Sequence, residues 1–139
     1  MFSPPPGTFT GSHEVGTELL RHFVAGPRPR PLIAEMGGKN AAIVTRHADL
    51  ERAATGIVRS AFGLQGQKCS ACSRIYVERP IFEAFVERFA ARTRALRVGD
   101  PLDKNTVVGA INSKEQLGRI TSLIGAGIEA LFKPNTKAI

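Results

Sequence analysis

Cys69 stands in the run Phe62-Gly63-Leu64-Gln65-Gly66-Gln67-Lys68-Cys69-Ser70-Ala71-Cys72, a glycine-flanked turn after an amphipathic segment. Glu35 lies upstream in Glu35-Met36-Gly37-Gly38-Lys39-Asn40. A thiol attacks carbon as its thiolate, and a covalent intermediate needs a base to activate water. Cys69 and Glu35 are candidates for those two roles. Glu35 ends an apolar run before two glycines, so partial desolvation is expected, and burial raises a carboxyl toward the range useful to a general base. A surface carboxylate at a strand end is the other reading. Lys68 could favour the Cys69 thiolate by its charge, or it could simply be solvated.

Cys69 alone is open to four readings: nucleophile, metal ligand, redox cysteine or buried structural thiol. A zinc site needs four ligands; Cys69 and Cys72 supply two, and His13, His22 and His47 lack paired spacing, so no metal is expected. Cys69-Ser70-Ala71-Cys72 has the C-x-x-C redox spacing at an expected helix start, although here it follows a long helix instead of a strand. Gly11-Ser12-His13-Glu14-Val15-Gly16 has the form of a helix start whose free backbone N–H groups meet an anion.

These residues need a scaffold, and 139 residues suffice for one domain with a core. The apolar fraction of 42% and charged fraction of 22% are ordinary for a globular protein. No apolar run is long enough to span a bilayer, and Met1 to Gly7 lack the basic and apolar regions of a secretory signal. Two closely spaced cysteines make no disulfide framework, which agrees with a reducing, cytoplasmic setting. The net charge of +7 invites a nucleic-acid reading. The basic residues are scattered along helix faces, and one Tyr with no Trp leaves no stacking platform, so no nucleic-acid partner is expected.

Strands alternating with helices predict an α/β fold with parallel pairing. Residues 1–9 read as an unstructured, proline-rich lead-in. Ser12 caps a helix with Val15, Leu19, Leu20 and Phe23 on one face, stopped by Gly26 and the prolines after it. Leu32–Ala34 and Ala41–Val44 read as short strands, the second apolar enough to be buried on both faces. Leu50, Ala53, Ala54, Ile57, Val58, Ala61 and Phe62 keep helical spacing, with Asp49 and Glu51 suiting the first turn. Ile75–Val77 is a strand, and Pro80 opens a helix burying Phe82, Phe85, Val86 and Phe89. Ser113-Lys114-Glu115-Gln116 is a capping box for a last helix whose apolar face is Leu117, Ile120 and Ile124.

Taken together, Phe9-Thr10-Gly11-Ser12 with Gly16, the Glu35–Asn40 string and Gly66-Gln67-Lys68-Cys69 carry a resemblance. They follow in the order and spacing of the aldehyde dehydrogenase superfamily, which the chain resembles over about residues 8–122, and the last two strings resemble its glutamate and cysteine signatures. The Glu35–Asn40 string and Ser60-Ala61-Phe62-Gly63, with Gln67–Arg74, look most like the L-glutamate γ-semialdehyde (1-pyrroline-5-carboxylate) dehydrogenase branch. The resemblance implies a fragment of that α/β fold: a disordered lead-in 1–8, a remnant of the cofactor-binding domain over 9–36, part of the catalytic domain over 37–124 and a divergent tail over 125–139. It implies Cys69 as nucleophile, Glu35 as base, Gly11, Ser12 and Gly16 beside NAD or NADP, and Ser70 on the substrate. The expected partner is a small-molecule aldehyde, with no membrane, and a homo-oligomer only for a full-length enzyme. Family chains are several times longer, so an internal piece, inactive by itself, is expected; a non-catalytic remnant that binds another subunit is the alternative.

Overall fold

The computed structural model describes residues 6–132, in two compact units that divide between Leu96 and Arg97. In the first unit, β1 (Gly7–Gly11), α1 (His13–Ala25) and β2 (Leu32–Met36) form a βαβ unit, its strands parallel from Gly7↔Leu32 to Gly11↔Met36. Ser12 caps α1 as expected, its Oγ accepting the Val15 N–H at 3.3 Å. Gly16 is the buried residue of α1, because a Cβ there would stand 2.6 Å from Met36 Sδ and 3.2 Å from Phe9. The bare glycine lets the helix lie close on both strands. The Arg30 guanidinium covers the Phe23 ring at 4.3 Å and folds the proline-rich connection back on α1.

One expectation fails here. Gly7, Thr8 and Phe9 are not a disordered lead-in; they are strand, with the Gly7 N–H donating to Pro31 O at 3.1 Å. Proline content describes local preference, whereas the parallel partner Leu32–Met36 arrives only after a whole helix. Residues 1–5 of the lead-in and 133–139 of the tail lie outside the described residues.

A second βαβ unit follows: β3 (Asn40–Val44), α2 (Leu50–Phe62) and β4 (Cys72–Val77), then α3 (Phe82–Arg94). β3 and β4 pair in parallel, as the alternation predicts. Asp49 is the N-cap of α2, one step outside the first turn where it was expected, and its carboxylate accepts from Glu51 and Arg52 N–H. Val44, Ala54, Ile57 and Phe85 form the core, with the Phe85 and Phe89 rings stacked at 5.9 Å. β3 is covered on one face only: Ile43 is 76% exposed and its cross-strand partner Tyr76 is 55% exposed. The apolar run that suggested burial on both faces meets helices on one side alone. The α3 stripe is similarly narrower than expected. Phe85 is buried and Phe89 half-buried, but Phe82 and Val86 are exposed because α3 packs mainly against α2.

Glu51 clamps α2 to α3. Its carboxylate stands 3.0 Å from Arg88 Nε and accepts from Arg92 Nη2. The Arg92 hydrogen bond is the largest cause holding Glu51 below its ordinary value of 4.5; the charges of both arginines act the same way, against an opposing desolvation effect. A carboxyl depressed in the folded state contributes stability above its unfolded value and loses it as pH falls through the folded one. Glu51→Gln therefore lowers the urea midpoint at neutral pH and flattens its fall below about pH 4.5. Parallel midpoint–pH curves for the two proteins would contradict the clamp. Salt screens these two exposed ion pairs, so the gap narrows at high ionic strength.

In the second unit, Val98 bridges Val108 and Arg97 pairs with Asp103 at 3.5 Å. The Ser113 cap forms as predicted, Oγ accepting the Gln116 N–H at 3.1 Å, and opens α4 (Lys114–Phe132). α4 runs unbroken through Gly125, where the sequence set the start of a divergent tail. Leu117 and Ile124 are at least half exposed on it.

Candidate active site

The Cys69 turn is built from three successive residues in the left-handed region: Leu64 at φ 52°, Gln65 at 56° and Gly66 at 70°. Only the glycine adopts that conformation freely; for Leu64 and Gln65 it costs about 1–2 kcal/mol each. This reversal brings the chain back from the end of α2. Hydrogen bonds then secure it: Gln67 N–H to Leu64 O and Lys68 N–H to Gly66 O, both at 2.9 Å, and Ala71 N–H to Lys68 O at 3.1 Å. Ala71 is buried and anchors the turn, while Cys69 sits exposed at its corner. Among the described residues, the Cys69 N–H has no protein acceptor, in contrast to its neighbours at 67, 68 and 71.

Glu35 reaches the same place from the other βαβ unit. It lies near the end of β2, opposite Thr10 in the ladder, just before Gly37 and Gly38. Thr10, Gly11, Glu35, Met36, Gly37, Gly38, Gln67, Lys68 and Cys69 together line an open cleft of about 340 Å³. The candidate nucleophile and candidate base, far apart in sequence, thus share one cavity. Both are exposed, so the partial burial expected of Glu35 does not occur. Among the described residues, none buries its carboxylate.

The other candidates fall in different positions. Gly11 lines the cleft and Lys68 joins it. Ser12 caps α1 beside that rim, whereas Gly16 is buried beneath Met36 and has a packing role. Ser70 is exposed next to Cys69 but outside the cleft lining. Cys72 opens β4, half-buried, its thiol donating to Arg74 O at 3.3 Å. The expected helix start at the C-x-x-C is a turn running into a strand, so the pair lacks the helix N-terminus that such redox pairs use. Among the described residues, no three His, Cys, Asp or Glu side chains gather to hold a metal ion.

Asn40 escaped the sequence reading. Its Nδ2 donates to Cys69 O at 2.6 Å, and Gly38 packs against the same carbonyl. Asn40 belongs to the glutamate string, and no local pattern says that its amide crosses to the cysteine turn.

A model described as the aldehyde dehydrogenase family matches residues 7–136, which extends the likeness through α4 and into the segment set aside as a divergent tail. The 1-pyrroline-5-carboxylate dehydrogenase of Bacillus cytotoxicus is 39% identical over 127 residues, covering 88% of this chain and 24% of that protein. Its namesake from a Geobacillus strain is 40% identical over 125 residues, covering 86% and 24%. The chain therefore spans about a quarter of the length of these relatives. Among solved structures, 1-pyrroline-5-carboxylate dehydrogenase from Thermus with bound NAD superposes with a TM-score of 0.82 at 38% identity, over 89% of this chain and 25% of that one. An aldehyde dehydrogenase from Brucella melitensis biovar abortus reaches 0.81 at 30% identity, over 90% and 26%. The match runs through both strands that carry the cleft and through the helices packed on them, and on that footing the chain belongs to the aldehyde dehydrogenase family.

Proposed function

We propose that this chain carries the thiol and the base of NAD(P)-dependent aldehyde oxidation, with a carboxylic acid as product and L-glutamate γ-semialdehyde as the favoured substrate. The observation that carries the reading is the common cleft of Cys69 and Glu35. The substrate leaning rests on the likeness to proteins named 1-pyrroline-5-carboxylate dehydrogenase and on Ser70 beside the nucleophile.

The Cys69 thiolate adds to the aldehyde carbon, forming a C–S bond as the carbonyl π electrons move to oxygen. The Cys69 N–H donates to that oxyanion, a contribution of about 3 kcal/mol for a well-aligned donor. A nicotinamide dinucleotide held beside Gly11 and Ser12 would supply the hydride acceptor for this carbon. Glu35 then takes a proton from water, whose oxygen adds to the thioester carbonyl; the C–S bond breaks and the acid departs as the thiolate re-forms.

The residues fit one part of that dinucleotide. α1 opens at the rim of the cleft, where Ser12 already satisfies the Val15 and Gly16 amides and leaves the first-turn N–H groups of His13 and Glu14 for a phosphate oxygen. Gly11 and Ser12 are the proposed contacts, and Gly16 serves by seating α1 on the strands. Residues 9–36 are then the cofactor-side segment and 37–124 the catalytic one. The two free thiols suit a cytoplasmic setting.

p-Nitrophenyl acetate tests the reading without cofactor, since it loads an acyl group directly on an active thiol. After brief exposure, peptide mapping should find the acetyl group on Cys69. Acetyl on Cys72 or Lys68 instead would sink the proposal. Because the cleft is open to water, the isolated chain should not reduce NAD with aldehyde; turnover that disappears in Cys69→Ala would overturn that part. The exposed Ile33, Ile43 and Tyr76 favour a second reading, a non-catalytic piece that binds another subunit through these faces. Self-association without acylation of Cys69 would favour it.

A further inference from the structure

We propose that Asn40 is a positioning residue for Cys69, holding the nucleophile turn in register with the segment that carries Glu35; the catalytic part of this inference rests on the function proposed above. Two peptide planes meet at the Cys69 Cα, and each is pinned by its carbonyl. Lys68 O accepts the Ala71 N–H at 3.1 Å, which fixes the plane that carries the Cys69 N–H. Cys69 O accepts Asn40 Nδ2 at 2.6 Å, which fixes the plane that carries the Ser70 N–H. Pinning both carbonyls sets both N–H directions, and among the described residues neither N–H has a protein acceptor. Such prior orientation is what a donor to a developing oxyanion needs.

The sheet explains why Asn40 can reach. Asn40 pairs with Cys72, but Ala41 pairs with Arg74, so β4 carries Ser73 as an extra residue at this step. A bulge of this kind re-aims the neighbouring side chain. Ser73 Oγ also lies 3.5 Å from Asn40 O, at the limit of a hydrogen bond. Gly38 leaves the space for the contact: a Cβ there would stand 3.0 Å from Cys69 O and 3.1 Å from Asn40 Nδ2. Asn40 therefore ties the turn after α2 to the strand connection that follows Glu35. No other side chain of the described residues donates to Cys69 O.

Asn40→Asp keeps the shape but, ionised, cannot donate; Asn40→Ala removes shape and donor together. On the full 139-residue chain, both should lower the rate constant for acylation by p-nitrophenyl acetate about tenfold, the scale of one good hydrogen bond. The half-saturating ester concentration should stay where it is in both variants, and Asn40→Ala, which adds no charge beside the turn, should keep the parent's pH profile, whereas the carboxylate of Asn40→Asp displaces it. A purely structural loss would spread to the fold and be shared by both variants in proportion to their melting points. Amide exchange supplies the independent arm: the Ala71 N–H should exchange about tenfold faster in Asn40→Asp, with Ile43 and Val44 unchanged. Acylation and Ala71 exchange both within twofold of the parent would overturn the proposal. If the parent chain is not acylated at Cys69, the nucleophile reading falls, and Ala71 exchange alone decides whether the tether exists.

Discussion

Cys69→Ala abolishes the burst of p-nitrophenolate that the parent chain releases from p-nitrophenyl acetate. The loss is complete because no other group can replace this thiol. Cys72, three residues on, is half-buried at the start of β4 and engaged with Arg74 O, while Cys69 is exposed at the corner of a turn that opens into the cleft. A thiol reacts through its thiolate and must meet the ester carbon along an open path, and only Cys69 has that path. The burst amplitude should equal one acyl group per chain and vanish in the variant, with the urea midpoint little changed because the side chain is exposed. A burst that survives in Cys69→Ala, or that disappears in Cys72→Ala instead, would remove Cys69 from the nucleophile role.

Glu35→Gln leaves the burst intact and slows the steady phase. The burst reports formation of the thioester, which needs no base; the steady phase reports water attack on it, which does. General-base assistance is worth about 10²–10⁴-fold in a finished site. Glu35 is exposed in an open cleft, so the lower end, about a hundredfold, is the expected slowing. The variant should accumulate acetyl-Cys69 that intact-mass measurement can follow. Equal steady rates for parent and Glu35→Gln would show that water attacks unaided. Taken with the first result, the two substitutions separate the step that makes the C–S bond from the step that breaks it.

The elements were largely legible because their signals are local. Ser12 and Ser113 announce helix starts by a side-chain oxygen that satisfies amides a few residues ahead, and Gly26 with its prolines stops α1. Parallel pairing followed from strands separated by helices. β1 was missed because Thr8 and Phe9, strand formers by type, follow directly on a run of prolines and are held by Leu32–Ala34, a partner on the far side of α1. The breadth of the buried stripes was overread at Ile43, Phe82 and Val86. Periodicity says which face is apolar, not how much of it another element covers.

The site divides along the same line. The residue types of Cys69 and Glu35, the glycines beside them and the family strings they sit in are properties of the sequence, since reactivity and local turn preference reside in the residues themselves. Their convergence on one cleft, the left-handed run at Leu64–Gly66 and the tie from Asn40 to Cys69 O came only with the tertiary structure. The cleft and the tie depend on where two βαβ units bring distant backbone together, and the left-handed run on how the chain reverses after α2; spacing along a chain carries no record of direction in space. The same packing decided against the burial expected of Glu35: a carboxylate is desolvated by the neighbours that cover it, and at the end of β2 this chain leaves it exposed.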